Sequence, residues 1–142
     1  MDKFIEASDK AGGEFYLNFK KKGKVMMLNL LKFKSQADYT GFESLQPKEQ
    51  ISGEQAYELY TESIKEELRK RNSRILFYAR SYSFLIGPEH EKWDAILLME
   101  HESAETFIEF SKSKVYLNNL GHRTAALEDS RLLPSSEIEK HF

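Results

Sequence analysis

Val25-Met26-Met27-Leu28-Asn29-Leu30-Leu31-Lys32-Phe33 is the stretch on which the fold turns. In a strand, successive side chains point to opposite faces, so Val25, Met27, Asn29, Leu31 and Phe33 share one face. Met26, Leu28 and Leu30 share the other. Both faces are apolar, which predicts a strand covered on both sides. One residue, Asn29, breaks the apolar run.

Downstream, 35–51 reads as irregular, with Gly41 and Pro47 as breakers. A loop of that length in a compact domain is uncommon and often functional, so it is a candidate lid. Ser52 and Gln55 have capping-box spacing. Ala56, Leu59, Tyr60, Ile64 and Leu68 then form an apolar stripe, which predicts a helix ending near Asn72. The run 74–86 reads as a long strand, halted by Gly87-Pro88, and 93–100 as a third strand joined to it in a hairpin. Ser103 caps a second main helix, with Glu105 placed well against its dipole. Phe107, Ile108, Ser111 and Val115 form its inward stripe, and Gly121 closes the segment. A fourth strand is predicted over 124–133, ended by Pro134.

The ends are less regular. Residues 2–11 carry modest helical spacing, and Gly12-Gly13 is expected to end or bend that helix. Phe15, Tyr16 and Phe19 suggest a second short turn. The chain thus divides into an N-terminal helical extension (1–22), a core (24–134) and a loose tail (135–142), all in a single domain.

Strand, helix, strand, strand, helix, strand is the split βαβ order: an α+β, ferredoxin-like βαββαβ antiparallel sheet with its helices on one face. The first and third strands are apolar on both faces, yet the helices cover only one. A second copy of the same sheet is the simplest cover, which predicts a homodimer with closed two-fold symmetry.

Composition bounds the function. The 142 residues suit one domain, and 40% hydrophobic with 13% aromatic residues fit a globular chain. A formal charge of −2 and a pI near 6.1 argue against a nucleic-acid binder. The basic run Lys20-Lys21-Lys22 with Lys24 reads as a solvated linker. There is no cysteine, which excludes disulfides, thiolate metal sites and cysteine nucleophiles. No stretch resembles a signal peptide or a membrane span, so a cytoplasmic protein is expected. His90, His101, His122 and His141 are scattered without ligand spacing, and no metal site is expected. Serine-nucleophile motifs, phosphate loops and dinucleotide fingerprints are absent, and no cofactor is expected.

The segment Met27–Phe33, the pair Tyr57 and Tyr60, and Trp93 opening the third strand carry a family likeness. So do Glu100-His101-Glu102-Ser103, Ser113-Lys114-Val115-Tyr116, Arg123 and Ala125-Ala126-Leu127-Glu128-Asp129. In this order they resemble the domain-of-unknown-function-1330 family of the dimeric α/β-barrel superfamily. The chain departs from that pattern where Arg71-Asn72-Ser73-Arg74 replaces a glycine pair and Glu102 replaces a proline. The resemblance implies a dimer with two sheets face to face around pockets. It implies no established activity.

Several residues carry candidate chemistry. Asn29 is a polar amide within apolar strand, and leaving it unpaired costs on the order of 1–3 kcal/mol. It reads either as a pocket group or as a structural amide bonding a neighbouring loop or strand. Arg80, amid Tyr78, Tyr82 and Phe84, could hold a carboxylate; alternatively it pairs with Glu100 or Asp94. Tyr57 and Tyr60 point inward from the first main helix, as core residues or as hydrogen-bond donors to an anionic group. Arg123 would bind an acidic ligand or pair with Asp129 or Glu128. His101 could move protons near neutral pH, and Trp93 would form a wall. Asn29, Tyr57 and His101 are the catalytic candidates; Arg80, Trp93, Arg123 and Tyr60 are the ligand-binding ones.

The leading expectation is a small-molecule-binding protein, and if an enzyme, a cofactor-free one acting on a small acidic or phenolic compound. The competing class is a non-catalytic carrier or a structural dimer. A third alternative comes from Asn29, Trp93 and His101, which together resemble the haem-degrading monooxygenases of this superfamily.

Overall fold

The computed structural model describes residues 2–139. The elements run α1 (Asp9–Phe19), β1 (Val25–Phe33), α2 (Gly53–Lys70), β2 (Arg74–Arg80), β3 (Ala95–His101), α3 (Ala104–Ser111), α4 (Lys114–Ala126) and β4 (Leu127–Ser135). The four strands form one antiparallel sheet in the order β2-β3-β1-β4. This is the ferredoxin-like arrangement expected from the element order.

The β1 alternation is obeyed in full. Val25, Met27, Asn29 and Leu31 are buried, while Met26, Leu28 and Leu30 are only partly covered. β3 repeats the pattern, with Ala95, Leu97, Met99 and His101 buried and Ile96 and Leu98 less so. The buried rows meet Ala56, Tyr57, Tyr60, Ile64 and Leu68 of α2, which follow helical spacing as read. The α2 capping box forms in both directions between Ser52 and Gln55. All the helices therefore lie on one face, and among the described residues no helix covers the other face of the sheet.

Several boundaries differ from expectation, each for a physical reason. α1 starts at Asp9, because the Ser8 hydroxyl caps it by accepting from the Ala11 amide at 3.1 Å. It runs through Gly12-Gly13 to Phe19 instead of ending there. The single helix expected after Ser103 is two helices, because Ser113 caps a new one by accepting from the Tyr116 amide. Gly121 does not close that helix but lies buried within it: a Cβ there would sit 2.6 Å from Phe42 and 2.7 Å from Leu45. It is the point where the 35–51 loop presses on α4. β4 consequently begins at Leu127 and not at 124, and it includes Pro134, which an edge strand tolerates. β2 ends at Arg80 and β3 begins at Ala95. Between them the chain forms an arm held by one bridge, Ser83 with Lys92, with Leu85 99% and Ile86 91% exposed at its tip. The last three residues of the expected tail, 140–142, lie outside the described residues. Among the described residues, no helix is long and apolar enough to cross a membrane.

Candidate functional site: a cavity under the N-terminal helix

Between sheet and helices lies a cavity of about 640 Å³. Met27 and Asn29 of β1 and Leu97 and Met99 of β3 form its floor, and Leu132 and Pro134 of β4 extend it. Tyr57 and Tyr60 enter from α2, Phe107 and Phe110 from α3, and Tyr116, Leu120 and Arg123 from α4. The remaining wall comes from the chain before β1, from Phe4 to Phe15. The lining is mostly apolar with a few convergent polar groups, as small-molecule sites generally are.

The floor amide is held firmly. Asn29 Nδ2 donates to the carbonyls of Met27 and Leu97, both at 3.2 Å. The amide thus ties β1 to β3, as the structural alternative required, while the residue also lines the cavity. The tyrosines form a connected set, with Tyr57 and Tyr60 ring centroids 5.4 Å apart and Tyr60 and Tyr116 6.4 Å apart. Burial pushes the hydroxyls of Tyr57, Tyr60 and Tyr116 above the usual tyrosine range, and the Arg123 guanidinium opposes that shift in each. All three are therefore neutral hydrogen-bond donors at ordinary pH, not phenolate bases. Arg123 Nη1 donates to the Ile5 carbonyl at 2.6 Å. It makes no ion pair with Asp129 or Glu128, because Asp129 is committed to Arg131 at 2.7 Å and Glu128 to Lys3.

Asn29, Tyr57, Tyr60 and Arg123 thus come together on one cavity. Arg80, Trp93 and His101 do not. Arg80 is an exposed residue bonded to Glu54 of α2 at 2.5 Å, not to Glu100 or Asp94. Glu100 is taken by Arg74 and Lys24 on the bare face, and the Asp94 carboxylate accepts from the Phe33 amide. Trp93 is buried beneath Arg131, whose guanidinium carbon lies 5.0 Å from the Trp93 ring and 4.9 Å from the Phe4 ring. His101 is 0% exposed, behind Phe107 and Phe110, with Nδ1 2.8 Å from the Ser73 hydroxyl. Burial pushes it down to about 4, so it is neutral at pH 7 and is no proton shuttle there. An imidazole so enclosed does not fit an axial haem ligand, and the Asn29, Trp93 and His101 grouping behind the haem alternative does not assemble. No group of three or more metal-ligating side chains occurs among the described residues.

The 35–51 loop does not reach this cavity. It packs on α4 through the Tyr39 hydroxyl, 2.8 Å from His122 Nδ1, and lines a separate polar hollow. The residues that close the cavity belong to the N-terminal extension, whose spacing gave no sign of this role. Tyr116 and Leu120 were likewise hidden, because they sit on a helix that the sequence merges with its neighbour.

No family model matches the chain, and no curated protein matches it. Among solved structures, it is similar to two crystal structures of the RPA0582 protein, described as a protein of unknown function from Rhodopseudomonas palustris. The first, a methylated form, is 27% identical with a TM-score of 0.84, covering 98% of both chains. The second is 25% identical with a TM-score of 0.82, covering 98% of this chain and 100% of the other. A hydroxynitrile lyase from Passiflora edulis is similar in fold, at 11% identity and a TM-score of 0.50, over 83% of this chain and 96% of that one.

Proposed function

We propose that this protein binds a small, largely apolar compound bearing an acidic or phenolic oxygen in the cavity between sheet and helices. The observation that carries this reading is the lining. Two guanidiniums, Arg123 and Arg131, and three neutral tyrosines share a cavity of about 640 Å³ with Asn29, Ser130 and the Glu6 carboxylate, and its other walls are mainly Met, Leu, Phe and Pro. The apolar walls take the ligand body, and Arg123, Tyr57, Tyr60 and Tyr116 take its oxygen. The chemistry these groups supply is orientation and polarisation of an oxygen function. That is enough for a carrier, and in an enzyme it would stabilise an oxyanion without a cofactor. Kinship with the domain-of-unknown-function-1330 family and pairing of two copies through the bare sheet face belong to the same proposal.

The test is a thermal-shift titration of the purified chain with aromatic and aliphatic carboxylates and phenols. A ligand that binds only the native state raises the melting temperature with dose. The shift should vanish in Leu120→Trp, which fills the cavity from α4. A flat response across the panel would overturn the proposal.

A further inference from the structure

The cavity has a roof of its own construction. Residues 3–6 form a strap along β4 and α4. The Phe4 amide donates to Asp129 at 2.9 Å, the Ser130 hydroxyl donates to the Phe4 carbonyl at 2.5 Å, and Arg123 donates to the Ile5 carbonyl at 2.6 Å. Lys3 pairs with Glu128. Beyond the strap, α1 continues the wall with Ala11, Gly12 and Phe15.

The strap is well tied, but α1 is not. No α1 residue is buried, and Leu17 is 64% exposed. It meets the body through Phe15 and Phe19, both only partly buried, with Phe15 on Phe107 at 5.5 Å between ring centroids. Gly12-Gly13 sits in the middle of this helix. A Cβ built at either glycine meets nothing within 4 Å, and neither glycine has a positive φ. Close packing and backbone geometry therefore do not call for glycine here. What the pair does is weaken the helix, since each glycine disfavours helix relative to alanine. Segments with few buried contacts and weak propensity open locally without global unfolding.

We infer that α1 is a roof that opens by local unfolding, turning on the strap, to admit a carboxylate-bearing ligand to Arg123, and that Arg123 then ties the strap, and with it the closed roof, to the bound ligand. The inference rests on the proposed ligand cavity and adds its route of access and its anion subsite. A guanidinium carries five donors in a fork, so one edge keeps the Ile5 carbonyl while the other takes the carboxylate. Ligand occupancy and roof closure thus stabilise one another through a single side chain.

The experiment has two arms on the full chain. In the first, hydrogen exchange of the unliganded protein should show residues 9–19 exchanging at least a hundredfold faster than β1 and β3. The double variant Gly12→Ala/Gly13→Ala should slow that exchange roughly tenfold while leaving β1 and β3 unchanged. Exchange of α1 together with the core strands would overturn the roof. In the second arm, biphenyl-4-carboxylate and biphenyl-4-carboxamide are mixed with the protein in a stopped-flow instrument. The fluorescence of Trp93, the sole tryptophan, reports through Arg131 and Phe4. The carboxylate should protect residues 4–19 from exchange more than the amide does, and it should associate roughly tenfold more slowly with the double-alanine variant. Binding at an unchanged rate would overturn the gating while the ligand cavity stands. If neither probe binds, the ligand reading of the cavity falls, and the first arm alone decides the roof.

Discussion

His101 shows how one buried side chain couples this fold to pH. Its Nδ1 is satisfied by Ser73, but Nε2 has no partner among the described residues, and burial among Phe107 and Phe110 holds the imidazole neutral down to about pH 4. The unfolded chain protonates the same group near pH 6.5, so between these values the unfolded state binds more protons. Stability contributed by His101 is complete above pH 6.5 and is lost as pH falls toward 4, by about 3 kcal/mol in all. Urea unfolding across that window should show a decline steeper in the wild type than in His101→Gln, because His122 and the depressed carboxylates titrate in both; parallel curves would contradict it. Arg123 governs a different property. Arg123→Gln should weaken a carboxylate probe at least tenfold in calorimetry and leave the matching carboxamide within a factor of two, since a charge-assisted bond contributes about 1.5–3 kcal/mol. Residue chemistry was partly legible in the sequence. Asn29, Tyr57 and Tyr60 stand out as polar groups on apolar elements and do face one cavity. His101 and Arg80 stand out for the same reason, yet Ser73 and Glu54, far away in sequence, set their surroundings.

At the scale of elements, periodicity placed β1, α2 and the α3 start well, because β1 alternates cleanly and the two helices carry side-chain caps. It failed where glycine had to be interpreted without its neighbours. Gly12-Gly13 and Gly121 both look like helix ends, yet the first pair lies in an open helix and the last lies under Phe42 and Leu45. Gly53 carries no local signal of its role, which is set by backbone far away in sequence. It opens α2 where the ends of β1 and α4 converge, and its amide donates to the Lys34 carbonyl at 3.0 Å. A Cβ there would stand 2.3 Å from the Lys34 carbonyl oxygen and 2.6 Å from that of Ala126. Both obstacles are backbone, so neither can rotate away. Gly53→Ala should therefore destabilise the fold by roughly 3 kcal/mol or more in denaturant unfolding, at the upper end for overpacking. Ser52→Ala, one residue earlier, should cost about 1 kcal/mol through loss of the cap. Similar losses for the two variants would mean that α2 shifts to make room.

For the whole molecule, the proposed pairing of two copies rests on the sheet face away from the helices. Pairing register places Leu28 opposite Leu98 on β3 and Leu133 on β4, and Phe77 opposite Leu98 on β2. These side chains form an apolar row on the face away from the helices, with Phe77 57% and Leu133 64% exposed. The arm at 81–92 adds Tyr82, Leu85 and Ile86 to the exposed apolar surface. A contiguous patch of this kind on a chain otherwise rich in charge marks an association surface. In the proposed dimer the same face of a second copy would cover it about a two-fold axis. Sedimentation of the wild type at micromolar concentration should give a dimer. Leu98→Asp, at the centre of the row, should give a monomer that still unfolds cooperatively, because in the isolated chain this side chain is only partly covered. The Lys24–Glu100–Arg74 ion-pair cluster also lies on this face. Its carboxylate is held below the usual range by the Arg74 and Lys24 hydrogen bonds, so acid should not dissociate the pair until well below neutrality. A wild-type monomer, or a Leu98→Asp dimer, would mean that the bare face serves another purpose and that the apolar arm must be explained separately.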